Sequence, residues 1–332
     1  MTRPTFLRRA CARAARPLAA AALALGLSAA PAAAAAQRLT LALDWFVNPD
    51  HAPIIVAQQR GIFARHGLEL RIVAPADPSD PPRMAAAGAA DIAVSYQPQL
   101  HLQRAQDMPL RRLGTLVATP LNCLLVRADG PVRAIADLRG RRIGYSVAGM
   151  ERAVLGAMLR SAGLSEADVE LVNVNWSLSP SVMSGQVDAV IGAFRNFELA
   201  QMRLEGVEGR CFHPEEHGVP VYDELIYVAN PARLDPEAGR RFLAAVEEAT
   251  LFILNHPEEA WRDFVSYAPE LDDALNRQAW AATLPRLALR PAARDEGRYA
   301  RFEAFLHAAG LIAQPRPADE LLMAPPAAPP AR

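Results

Sequence analysis

The chain has 332 residues, 51% of them hydrophobic, and carries 35 basic residues against 36 acidic ones. Every basic residue is arginine, which excludes any reaction through a lysine Schiff base, and the charge balance gives no footprint for nucleic acid. Without the first 36 residues, 30 basic residues remain and the net charge is near −6; a chain of that length favours two lobes, each burying its own core.

The first 36 residues read as a secretory leader. Arg3, Arg8, Arg9, Arg13 and Arg16 form a basic head, residues 18–27 an apolar middle, and Ala34, Ala35 and Ala36 a small-residue cleavage site. The apolar run is too short and alanine-rich for a stable bilayer span, and Cys11 precedes it, so no lipid anchor is expected. Strand-like and helix-like runs then alternate: strand 39–43, helix 53–66, strand 68–73, helix 82–87, strand 91–94, helix 97–106. That alternation predicts a parallel sheet with helices on both faces. Strands over 112–117 and 122–127 precede the polar break Ala128-Asp129-Gly130-Pro131. A second series follows: strand 142–145, helix 151–161, strand 169–174, helix 179–184, strand 189–193, helix 196–204. After a strand-like run at 221–229 the chain is mostly helical, with Phe242, Val246, Ala249 and Ile253 at amphipathic spacing. The expected fold class is α/β with two lobes and a cleft between them. Lobe 1 would take 37–127 plus 222–312, lobe 2 would take 128–221, and the Pro- and Ala-rich residues 313–332 would be a loose tail.

In open α/β sheets the carboxyl ends of the strands face the crevice, and here five such exits are rich in aromatic and amide groups. The first holds Asp44, Trp45, Asn48 and His51 within eight residues; the second holds Tyr96 and Pro98. The others hold Tyr145, then Trp176, then Phe194, Asn196 and Glu198. Trp45, Tyr96, Trp176 and Phe194 offer ring faces for stacking; Asp44 and Glu198 are acceptors suited to an exocyclic amine; Asn48, Asn122 and Asn196 both donate and accept. The set suits a flat, polar heterocycle. The glycine-bounded loop at 144–149 opens a helix and would offer backbone N–H groups to an anion or carbonyl.

No nucleophile has a base beside it, no carboxylates pair at helical spacing, and no phosphate loop occurs, so neither catalysis nor a cofactor is expected. His213 and His217 have i, i+4 spacing, but Pro214 and Gly218 argue against a helix and hence a metal site. An exported compartment permits a disulfide, yet Cys123 and Cys211 are far apart in sequence and are expected to be separate core residues.

Taken in order, residues 41–51 (Leu-Ala-Leu-Asp-Trp-Phe-Val-Asn-Pro-Asp-His), Asp77-Pro-Ser-Asp80, Gly144-Tyr-Ser146 and Gly192-Ala-Phe-Arg-Asn-Phe-Glu198 resemble the thiamin-pyrimidine binding proteins. The resemblance runs from about residue 39 to 230, with a looser match at 256–261. It implies a type II periplasmic-binding-protein fold and a periplasmic receptor that delivers a pyrimidine precursor of thiamin, such as formylaminopyrimidine, to an ABC permease, meeting the membrane only through that partner. The same superfamily contains fungal pyrimidine synthases, which consume pyridoxal phosphate and a histidine of their own chain. At the positions matching their lysine and histidine this chain has Ser95 and Gln99, and the second crossing, which in those enzymes lies near a cysteine cluster, reads Pro220-Val-Tyr-Asp-Glu-Leu225. The alternatives are a receptor for another solute on the same fold, such as a sulfonate or nitrate with Arg195 as its anion ligand, and an exported pyrimidine-synthesising or pyrimidine-modifying enzyme.

Overall fold

In the first half of the chain, short apolar runs ending in polar turns make β1 (Gln37–Ala42), β2 (Leu68–Val73), β3 (Ile92–Ser95) and β4 (Arg111–Val117). Helices α1 (Ala52–Gln59), α2 (Ile62–Arg65), α3 (Pro81–Ala87) and α4 (Gln97–Ala105) lie between them. Next come β5 (Asn122–Arg127), β6 (Arg142–Tyr145), α5 (Met150–Ser161), β7 (Glu170–Asn173), α6 (Leu178–Met183), β8 (Ala189–Phe194), α7 (Glu198–Leu204) and β9 (Gly209–Phe212). The chain ends with β10 (Leu225–Ala229), α8 (Pro236–Asn255), α9 (Pro257–Val265), α10 (Ala274–Thr283), α11 (Glu296–Ala308) and α12 (Ala318–Leu321). This computed structural model describes residues 36–324. The expected leader, apart from Ala36, and residues 325–332 lie outside the described residues.

The strands form two five-stranded sheets, ordered β2-β1-β3-β10-β4 and β7-β6-β8-β5-β9. β1 runs parallel to β2 and β3, and β6 runs parallel to β7 and β8. The all-parallel expectation fails at one strand in each sheet, because β10 is antiparallel to β3 and β4, and β5 is antiparallel to β8 and β9. These two strands arrive from the opposite lobe rather than over a helix on their own sheet, so no βαβ unit fixes their direction.

The same feature corrects the lobe boundary. β5 belongs to the second sheet, so the first crossing falls at residues 118–121 and not at the polar break after 127. Pro120 has no N–H to donate and favours extended backbone before it, which suits a crossing. The short, half-buried β9 carries no alternating pattern and escaped the sequence reading.

Phe242, Val246, Ala249 and Ile253 are fully buried along α8, which packs on the first sheet's core beside α1. The helical remainder is not confined to the first lobe. On α11, Tyr299 packs beside Leu100 and Val228 of the first sheet's side, whereas Phe302 and Leu306 enter the second core with Val154, Leu155 and Met158. The helix staples the two lobes together. Residues 313–324 are also not loose, because Leu321 and Leu322 are buried and the Met323 N–H donates to the Arg112 carbonyl at 2.9 Å. Together with the bridge from Leu287 to Val117, this covers the open edge of β4. Composition misled here, because two leucines suffice to dock a short segment.

Cys123 and Cys211 form a disulfide, contrary to the expectation of separate thiols. In the β5–β9 register Cys211 lies opposite Leu125, which makes Cys123 its diagonal neighbour. The bond closes a separation of 88 residues, for which removal costs on the order of 2–5 kcal/mol. Cys123→Ala/Cys211→Ala should therefore unfold at lower urea than the oxidised wild type. Coincident midpoints would mean that the thiols are unpaired.

Candidate ligand-binding site

The strand exits of both sheets converge on one cleft of about 500 Å³. The first sheet lines it with Asp44, Trp45, Asn48, Asp50, His51, Tyr96 and Leu225. The second lines it with Val147, Met150, Glu151, Leu178, Gly192, Phe194, Phe197 and Glu198.

The loop after β1 is held by its own polar groups. Asn48 Oδ1 accepts from the Asp50 N–H at 2.8 Å and caps the turn Pro49–His51. The Asn48 N–H donates to His51 Nδ1 at 3.3 Å, which assigns the ring proton to Nε2, 2.9 Å from Asp44 Oδ1. Tyr96 OH donates to the other oxygen of Asp44 at 2.8 Å. Asp44 is thus a buried positioning group shared by His51 and Tyr96, and burial with that carboxylate holds the Tyr96 phenol well above its ordinary range.

The two walls meet. Trp45 and Trp176 contact edge to face with centroids 4.4 Å apart, and Tyr96 meets Phe194 at 6.4 Å. Asn196 Nδ2 reaches across to donate to Asp50 Oδ1 and to Thr283 Oγ1, both at 2.7 Å. Burial raises Asp50 from its ordinary 3.8 to about 6, with the hydrogen bonds from Asn196 and Thr283 opposing it.

Two carboxyl groups face the cleft from the second lobe. Glu198 Oε2 accepts the Phe194 N–H at 2.6 Å, and Glu151 Oε2 accepts the Ser146 N–H at 2.6 Å. Burial outweighs these bonds and raises both from 4.5 to about 8. Gly192 is the reason Glu151 fits: a Cβ there would lie 2.1 Å from Glu151 Oε1, and its φ of +99° is costly for other residues. The Gly192 N–H donates to Asn122 Oδ1 at 3.0 Å.

Of the residues singled out in the sequence, Asp44, Trp45, Asn48, His51, Tyr96, Phe194 and Glu198 line the cleft. Trp176 backs Trp45, and Asn122 supports Gly192 from below. Asn196 is engaged in the contact between the walls. Pro98 is buried in the first turn of α4 and Tyr145 packs toward the second core, so neither lines the cleft. In the loop at 144–149 Ser146 N–H is taken by Glu151 and Ser146 Oγ by the Asn175 carbonyl, so Ser146 offers neither donor to a ligand. Arg195 is likewise committed, to both carboxylate oxygens of Glu215 and to the carbonyls of Leu121 and Asn122. Asp50 and Glu151 were missed. Both stand at helix starts, where an acidic residue is ordinary, although a glycine within a strand signals close approach of another group.

The architecture is the two-lobed type II periplasmic-binding-protein fold. Its solved neighbours include the alkanesulfonate-binding protein SsuA from Xanthomonas axonopodis pv. citri bound to MOPS, at TM-score 0.67 and 16% identity over 87% of this chain and 96% of that one. The NMT1/THI5 like family matches residues 48–260, and the chain belongs to that family. It is 52% identical over 289 residues to a putative thiamine biosynthesis protein of Haemophilus influenzae, covering 87% of this chain and 92% of that one. It is 36% identical over 228 residues to the formylaminopyrimidine-binding protein of Halalkalibacterium halodurans, covering 68% of each.

Glu151 and Glu198, the carboxyl groups raised furthest, contribute a pH dependence. Between about pH 4.5 and 8 the folded chain retains protons on Glu151 and Glu198 that the unfolded chain releases, so stability falls as pH rises through that window. Each pKa unit corresponds to roughly 1.4 kcal/mol. Urea unfolding of Glu151→Gln/Glu198→Gln from pH 5 to 8.5 should show a shallower decline than the wild type. Parallel declines would mean that these groups ionise as they do in water.

Proposed function

We propose that this chain is a periplasmic receptor that closes on a pyrimidine precursor of thiamin and delivers it to an ABC permease. The carrying observation is Glu198, whose Oε2 is held by the Phe194 N–H while its carboxyl group, raised to about 8, faces the cleft. A neutral carboxyl group both donates and accepts. It therefore complements the edge of an aminopyrimidine, where a ring nitrogen accepts beside an exocyclic amine that donates. Trp45, Tyr96 and Phe194 supply ring faces on the walls. The similarity to the formylaminopyrimidine-binding protein of Halalkalibacterium halodurans supports the same ligand class, and the leader-like first 36 residues support export.

A sulfonate or nitrate receptor fits the cleft less well. Its lining among the described residues contains Asp44, Asp50, Glu151 and Glu198 and no arginine, while Arg195 is engaged by Glu215. The synthase reading lacks reacting groups, because Ser95 Oγ donates to Gln99 Oε1 at 2.9 Å where those enzymes carry lysine and histidine.

Glu198→Ala removes one partner of the proposed amine pair, at a cost of ~1–3 kcal/mol, or roughly 5- to 150-fold in affinity. Glu248→Ala is the control, since Glu248 pairs with Arg65 and His66 on the surface of α8. Calorimetry with formylaminopyrimidine should show the loss in the first variant alone. Equal affinities would remove Glu198 from the ligand contacts.

A further inference from the structure

A second cavity, of about 770 Å³, lies outside the cleft and shares no lining residue with it. It sits where the C-terminal segment 287–298 passes β4, and its wall includes one residue from each crossing, Ala118 and Asp223. We propose that this cavity is a binding site for a small, multiply charged oxyanion of the phosphate class.

The argument is one of unmatched charge. Four arginines line the cavity, Arg112, Arg290, Arg294 and Arg298, against two carboxylates, Asp223 and Asp295. Asp223 is already shared: it accepts from Arg298 and from Thr115 Oγ1 at 2.9 Å, and lies 3.9 Å from Arg112 Nε. Asp295 accepts the Arg298 N–H at 2.9 Å and pairs with the Arg298 side chain at 3.4 Å. That leaves Arg290 and Arg294 without a carboxylate from the cavity's own lining. Among the described residues the Arg290 side chain has no hydrogen bond or ion pair, and Arg294 pairs only with Glu296, which is 63% exposed. Arg294 Nε is buried with no partner.

The floor is pre-formed. Arg112 is 3% exposed, and its Nε and Nη2 are fixed by Thr115 Oγ1 and by the carbonyls of Pro291 and Ala293. Among the described residues its Nη1 has no partner while the residue lines the cavity. Guanidinium forks match the oxygen spacing of a tetrahedral oxyanion, and a donor left unpaired in a recess gains most from one. A multiply charged oxyanion would neutralise Arg290 and supply acceptors to Arg294 Nε and Arg112 Nη1; a neutral heterocycle would leave the Arg290 charge unmatched.

The test is thermal unfolding of the purified protein in rising inorganic phosphate, with potassium chloride holding ionic strength constant. A saturable rise in the unfolding temperature is expected. In Arg290→Ala/Arg294→Ala the half-saturating concentration should increase by roughly tenfold or more, as expected for losing charge-assisted hydrogen bonds. A phosphate response no larger than that of chloride, or one unchanged in the double variant, would overturn the proposal. Should the double variant fold poorly, Arg290→Ala alone removes a side chain without described partners, and an unshifted response in it counts equally against the site. Binding in the cleft reports separately, because none of the substituted residues lies there.

Discussion

A carboxyl group taken out of water is costly unless it is hydrogen-bonded or neutral, and the cleft of this protein holds four. Each is accommodated differently. Asp44 is bonded by His51 and Tyr96 within its own lobe. Asp50 is bonded by Thr283 and, from the opposite wall, by Asn196. Glu151 and Glu198 each take a backbone N–H and remain protonated to about pH 8. Much of the local architecture follows from these needs: the glycine at 192 that admits Glu151, the asparagine at 122 that holds that glycine, and the tight loops at the strand exits that aim their N–H groups at carboxylates.

The crossings that join the lobes obey the same constraint. Glu224, on the return crossing, accepts the N–H groups of Leu121 and Asn122 on the outward one, at 2.6 and 2.8 Å. Arg195 binds the carbonyls of those two residues and is neutralised by Glu215. Burial raises Glu224 from 4.5 to about 7, with these N–H groups and Arg195 opposing it. The two crossings are therefore fastened to each other, and α11 fastens both cores from outside through Tyr299 and Phe302.

The loop at 44–51 was legible because its chemistry is contiguous: a carboxylate, an indole, an amide and an imidazole follow a buried strand, and local capping brings them together. Alternating strands and helices likewise gave the two α/β units. What the sequence did not carry were facts of pairing between distant segments. The direction of β5 and β10, the lobe to which β5 belongs and the Cys123–Cys211 bond all depend on which strands become neighbours. Tyr145 lies at a strand exit, but alternate residues of a strand point to opposite faces, and its ring packs toward the second core. Asp50 and Glu151 carry ordinary helix-start signatures, and only the opposing wall gives them another role.

The central claim is that the cleft is built for a neutral hydrogen-bonding heterocycle rather than an anion. Calorimetry of the purified protein against formylaminopyrimidine and against a short alkanesulfonate, at matched pH and ionic strength, tests it most directly. Saturable one-to-one binding of the pyrimidine with no heat from the sulfonate is the expected result. Tight sulfonate binding with no response to the pyrimidine would contradict it.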